Sequence, residues 1–187
     1  MSGAASDGRR GPFIVTAQLP GDLFAWADGL RRAHFPPERN FIAAHVTLFH
    51  ALAPSLRDEV RGLLTELAGR FAPPAARLTG VMNLGRGTAF RIESAAMLAV
   101  RAEIAARFHG ALTAQDQHPP RLHITIQNKV EPAAARALQT ELGQRFQPRD
   151  FAFAGLGLHV YLGGPWEAAG TWAFRGKEVV DRARSWS

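Results

Sequence analysis

Apolar and polar positions fall into two rhythms along this chain. Short apolar or alternating runs predict strands over 13–19, 41–52, 77–84, 88–93, 121–130, 151–162 and 171–175. Between them the apolar spacing is helical. One helix is expected from Asp22 to His34, with Asp22 as its cap and Leu23, Trp26, Ala27 and Leu30 on one face. A second opens at Pro54-Ser55 and runs to Phe71, a third of about 18 residues follows a Ser94 cap, and a fourth runs from Glu131-Pro132 to Phe146. Pro36-Pro37 and Pro73-Pro74 break the chain, and Gly85-Arg86-Gly87 turns a hairpin. Gly155 and Gly157, inside the predicted strand 151–162, indicate a bulge or a close approach of backbone. Strand and helix mix throughout, so an α/β or α+β sandwich is expected.

Two of these strands carry the same string, His45-Val46-Thr47-Leu48 and His123-Ile124-Thr125-Ile126, 78 residues apart. Side chains alternate along a strand, so the His and the Thr of each copy share a face. In the first, Ile42, Val46 and Leu48 form the apolar face, and His45 and Thr47 lie opposite with Phe41 and Phe49. In the second, Leu122, Ile124 and Ile126 are the apolar set, and His123 and Thr125 lie opposite with Arg121, Gln127 and Lys129. Seven His residues would give about a third of one His-x-Thr string by chance, so two copies carry information that one would not. Two imidazoles and two hydroxyls delivered in pairs suit a phosphate diester. The flanking halves share little else, and the internal repeat rests on the motif.

Composition narrows the classes. The 187 residues are 47% hydrophobic and 20% charged, which supports a packed core and excludes a disordered chain. The net charge of +6 favours an anionic partner, or else reflects Arg used for solubility. With no Cys, disulfides and thiolate metal sites are excluded, and no His-x-His or paired-carboxylate cluster points to a metallohydrolase. No metal and no cofactor is expected. No apolar run reaches the roughly 18 residues of a membrane span. Met1–Pro12 is polar and Gly-rich, lacks the core of a signal peptide, and is expected to be a flexible tail. Residues 177–187 are expected to form a second tail, leaving one domain over 13–176. A cytoplasmic monomer without membrane contact is expected.

Other side chains fall near the motifs. Lys129 shares the parity of His123 and Thr125, which brings its charge toward a phosphate or leaves it solvated at the strand end. His159 and Tyr161 lie opposite Leu158, Val160 and Leu162, where Tyr161 could stack on a base. Phe41, Phe49 and Trp166 are either stacking surfaces or core. His50 has the parity of Leu48 and reads as structural; His34, His109 and His118 read as surface residues.

The duplicated His-x-Thr with its apolar flanks resembles the two-histidine (2H) phosphoesterase superfamily, which includes bacterial 2′-5′ RNA ligases and RNA 2′,3′-cyclic phosphodiesterases. The likeness extends over Phe13–Arg175, and the string Leu158-His159-Val160-Tyr161-Leu162-Gly163-Gly164-Pro165-Trp166 looks like that family's late strand and turn. The resemblance implies an α+β fold of two pseudo-symmetric lobes, with two antiparallel sheets facing a central groove and helices outside. It implies His45 and His123 as general acid and base, and Thr47 and Thr125 as donors to the phosphate oxygens. The implied reaction is metal-independent opening of RNA or nucleotide 2′,3′-cyclic phosphates to 2′-phosphates. RNA ends or cyclic nucleotides would be the substrates. The same four residues would serve a 2′-5′ RNA ligase or 2′-5′ phosphodiesterase. A nucleotide- or RNA-binding module with little turnover and a basic structural protein are the competing classes. Which imidazole is the base stays open at this level.

Overall fold

The first strand, β1 (Phe13–Gln18), is buried along almost its whole length, because strands flank it on both sides. The computed structural model describes residues 11–179. After β1 come α1 (Gly21–His34), β2 (Val46–Leu52), α2 (Arg57–Arg70), β3 (Ala75–Asn83), β4 (Thr88–Glu93) and α3 (Ala95–Arg107). Then follow β5 (His123–Gln127), α4 (Pro132–Arg145), β6 (Arg149–Ala152), β7 (Gly155–Tyr161) and β8 (Trp166–Ala173). Two four-stranded sheets result, ordered β2-β1-β7-β8 and β5-β4-β3-β6. All of their strand pairs are antiparallel. The fold is therefore α+β, as the resemblance implied.

Local chemistry explains most of the boundaries. Ser94 caps α3, its Oγ accepting from the Met97 N–H at 3.0 Å. Asp22 does not cap α1; Pro20 stands at that position, and Asp22 lies in the first turn, where a carboxylate opposes the positive helix end. The hairpin turn between β3 and β4 uses Gly85 at φ +79°, a backbone state that suits glycine.

Several expected elements differ: α3 has 13 residues rather than about 18, and the strand expected over 121–130 is only β5, His123–Gln127. The predicted strand 151–162 is two strands, with β6 in the second sheet and β7 in the first. Phe153, fully buried, continues the apolar alternation across the crossing and hides it. The predicted strand from Phe41 begins only at Val46. The final strand starts at Trp166 rather than Thr171. The expected close approach at Gly157 is present: a Cβ there would stand 2.6 Å from Thr16 Oγ1.

The two sheets repeat one plan. In each, the strand bearing His-x-Thr is the edge strand, β2 or β5, paired to the strand that precedes it through one helix. The two edge strands touch each other. α2 packs on β7 and β8, α4 on β3 and β4, and α3 on β3. α1, which connects the strands of the first sheet, packs on β5 of the second. One continuous apolar core joins both lobes, from Phe13, Leu48 and Leu64 to Phe90, Ile124 and Leu138. Gly11 and Pro12 run along Tyr161, whose N–H donates to the Pro12 carbonyl. Glu178 bonds to the backbone of Arg70 and Ala72. The remainder of the two expected tails, 1–10 and 180–187, lies outside the described residues. No helix among the described residues is long and apolar enough to cross a membrane.

Candidate active site

The two histidines are anchored in the same way. The Nδ1–H of His45 donates to the Ala43 carbonyl at 2.8 Å, and that of His123 to the Arg121 carbonyl at 2.7 Å. A carbonyl can only accept, so each bond places the proton on Nδ1 and leaves Nε2 as the reactive nitrogen. His45 sits one residue ahead of β2, and His123 opens β5. Thr47 and Thr125 follow two residues later on the same faces, both half-buried. Thr47 is in register with Thr16 on β1, and Thr125 with Ala89 on β4. Neither threonine hydroxyl has a hydrogen-bond partner among the described residues.

A cavity of about 480 Å³ opens beside His45. Thr16, Gln18 and His159 give it polar groups, and Phe24, Phe41 and Trp166 give it aromatic walls. Phe41 is 58% exposed and Phe24 38%, unusual for rings of this size unless something covers them. Trp166 lies 4.6 Å from the His45 ring and 5.4 Å from the His159 ring, in contact with both imidazoles. His159 Nε2 shares a hydrogen bond of 3.1 Å with Thr16 Oγ1.

Burial lowers the pKa of His45 to about 4, more than the bond to the Ala43 carbonyl can offset. The charges of Arg31, His159 and His123 push it the same way, so the first and second motifs sense each other. Burial lowers the His159 pKa as well. His45 is therefore neutral at pH 7, with a lone pair on Nε2.

Arg31 is 3% exposed and ties the two motif segments together. Its Nε donates to Asn40 Oδ1 at 2.9 Å and to the Ile42 carbonyl at 3.0 Å; its Nη1 donates to the Thr125 carbonyl at 2.9 Å. Burial lowers its pKa to about 10, against the pull of Asp28, and it stays cationic. Arg101 makes the reciprocal reach from α3, its Nε donating to the Leu48 carbonyl of β2 at 3.2 Å. The buried Asp116 accepts from the backbone N–H groups of His50 and Ala51 and stands 3.0 Å from His50 Nδ1. This fastens the loop before His123 to the end of β2.

The structure thus brings His45, Thr47, His123 and Thr125 to the adjoining edges of the two sheets. It does not bring Lys129 with them. β5 ends at Gln127, Lys129 turns to φ 60° with its side chain exposed, and the strand parity that placed it beside Thr125 stops two residues short. Tyr161 stands at the end of β7, 40% exposed and in register with Trp166, outside the walls of the cavity. Phe49 is core, and His50 is structural. Arg31, Arg101 and Asp28 escaped the sequence reading. Their signal was a charged residue on a buried helical stripe: Arg31 follows Leu23 and Ala27 at four-residue steps. Among the described residues, no three His, Cys, Asp or Glu side chains stand close enough to hold a metal ion.

Solved structures share this fold. The crystal structure of TT0787 of Thermus thermophilus covers 89% of this chain and 100% of its own, at 17% identity and a TM-score of 0.62. The crystal structure of a phosphoesterase covers 89% and 99%, at 20% identity and a TM-score of 0.56. That of E. coli LigT complexed with 3′-AMP covers 89% and 99%, at 18% identity and a TM-score of 0.53. At such identities the likeness is one of fold. No curated protein matches. The sequence model of the 2′-5′ RNA ligase superfamily spans residues 19–165, which include both His-x-Thr strands, and to that superfamily this chain belongs.

Proposed function

We propose that this protein is a phosphodiesterase that opens 2′,3′-cyclic phosphates of RNA or nucleotides to 2′-phosphates by two-histidine acid–base catalysis. One observation carries this reading. Two imidazoles with the same backbone anchor, each followed by an unpartnered threonine hydroxyl, stand at the starts of two edge strands that touch each other. His45 is neutral, so its Nε2 accepts a proton from the attacking water. Water adds to phosphorus as the P–O3′ bond breaks. The proton for the departing ribose oxygen comes from Nε2 of His123. Thr47 and Thr125 donate to the nonbridging oxygens as charge builds on them. The superfamily, and the 3′-AMP with which the structurally similar LigT is complexed, support an RNA or nucleotide substrate.

A second reading, exchange with the 5′-hydroxyl of another nucleotide to make or break a 2′-5′ linkage, is favoured by the aromatic cavity. It adjoins His45, the imidazole that takes the nucleophile's proton, and water needs no such space.

Incubation with a nucleoside 2′,3′-cyclic phosphate in EDTA, with and without a 5′-hydroxyl oligonucleotide, separates the readings. Phosphorus NMR showing a 2′-monophosphate in both cases supports the hydrolase, and a 2′-5′ diester formed with the oligonucleotide supports exchange. No reaction in either overturns both.

A further inference from the structure

The five residues before His45, Asn40–Ala44, belong to no strand and make no ladder bonds of their own. Yet they set where the first imidazole stands. Helix α1 holds them. Asp28 Oδ1 accepts from the Ala44 N–H at 2.9 Å, next to His45. Arg31 Nε takes the Asn40 side chain and the Ile42 carbonyl. Alternate residues of the segment are thus gripped from one helix face, where a neighbouring strand would otherwise supply the bonds. The other arm of the same guanidinium reaches the carbonyl of Thr125, in the middle of the second motif.

We propose that Arg31, seconded by Asp28, is a positioning residue for the two-histidine site: it sets the spacing between the His45 segment and the His123–Thr125 strand. The inference rests on the function proposed above for its catalytic readouts, though not for its spectroscopic one. The geometry asks for arginine. A planar guanidinium presents donors in fixed directions, and here they meet acceptors on both lobes at once. An ammonium on a flexible stem holds one acceptor at a time as firmly. The group is seated as a buried part: its Cζ lies 4.1 Å over the Phe35 ring, and Asp28 lies beside it. Such a group is costly to bury unless its bonds are used. The reciprocal contact, from Arg101 to the Leu48 carbonyl, grips β2 beyond Thr47. Each motif strand is therefore held by an arginine from the helix that leads into the other motif.

In-line transfer depends on that spacing. A misplacement of about 1 Å far from the chemistry costs on the order of 10²-fold in rate. Substrate binding, spread over the cavity, depends on it less. The charge of Arg31 also faces His45, together with His159 from β7 and His123 from β5.

The test uses Arg31→Met, Arg31→Lys and Asp28→Ala, each assayed on a nucleoside 2′,3′-cyclic phosphate at temperatures where circular dichroism shows the fold intact. Expected in Arg31→Met is a kcat lower by about 10²-fold, KM changed by less than about threefold, and an acid limb of the pH profile moved upward. Arg31→Lys should recover the position of that limb but only part of kcat, and Asp28→Ala should lower kcat without moving KM. The His45 ring signals, titrated by NMR, should shift upward in Arg31→Met whether or not this substrate is turned over. A wild-type protein inactive on the substrate would count against the proposed reaction alone, and the NMR titration would still decide the positioning role. Variants that lose thermal stability yet keep kcat, pH limb and His45 titration, when folded, would overturn it. If Arg31→Met does not fold, the same readouts on Arg31→Lys and Asp28→Ala decide.

Discussion

The indole of Trp166 stands 4.6 Å from the imidazole of His45, tilted by 55° to it. It packs beside a ring whose pKa burial has lowered to about 4. Trp166→Ala admits solvent to that ring, and the His45 titration should rise toward the ordinary value of about 6.5. The sign follows from the proposed base role: protonated His45 cannot accept a proton, so kcat/KM should fall as pH drops through its pKa. Wild-type protein should keep its activity down to about pH 4, and Trp166→Ala should lose it nearer pH 6. Coincident acid limbs in the two proteins would separate Trp166 from the titration of His45.

His45→Ala and His123→Ala should each reduce turnover of a 2′,3′-cyclic phosphate by about 10² to 10⁴-fold, with EDTA without effect on wild-type protein. Steady-state kinetics alongside thermal melting distinguishes lost chemistry from lost fold. Full activity in either variant would refute the acid–base pair.

Thr47→Val and Thr125→Val keep side-chain volume and remove one donor each. Each should lower kcat by about 10²-fold, the scale of one missing donor to a developing oxyanion. A fall in affinity with kcat unchanged would mean that the hydroxyls serve only to bind.

Asp116→Ala should cost about 3 kcal/mol in urea unfolding at pH 7, because it strands buried backbone N–H groups of β2. Hydrogen bonds from His50 and Ala51 hold the Asp116 carboxyl below its usual range, despite the opposing effect of burial. Its contribution is full above the ordinary carboxyl pKa of about 4 and is lost as pH falls through the lower folded value. The stability gap between wild type and variant should therefore narrow on acidification. A gap that stays constant down to pH 2 would contradict the linkage.

Oligonucleotide binding should weaken with salt, since the net charge is +6. Each phosphate neutralised adds roughly 0.7 to the log–log slope for a single strand. An affinity flat from low to high salt, measured by fluorescence anisotropy, would assign the charge to solubility.

Much of this site can be read from a linear string, and the limits have physical reasons. His-x-Thr shows itself because strand alternation turns two letters into one face, and the Ser94 cap shows because capping is local. The break at Phe153–Ala154 does not show, since a period of two says which face is buried but not which sheet the strand joins. Lys129 was drawn toward Thr125 by the same period, carried past the point where β5 ends. Arg31 and Arg101 were invisible for the opposite reason. Their contacts to the other lobe are backbone carbonyls 94 and 53 residues away, and a carbonyl has no letter in the sequence.

The second sheet is built from consecutive elements, β3 to β6, whereas the first takes β1 and β2 from before that block and β7 and β8 from after it. During synthesis the middle block can close on itself while β1 still shows an open edge, the kind of surface that invites stray pairing. The His45 cavity is then completed late, because His159, Trp166 and Ala168 emerge after everything else that lines it. A nascent chain halted at the end of β6 would hold both His-x-Thr strands and still lack the His159 and Trp166 side of the cavity beside His45. Under the proposed mechanism, the chain order alone delays the complete cavity until the final hairpin, β7 to β8, has emerged.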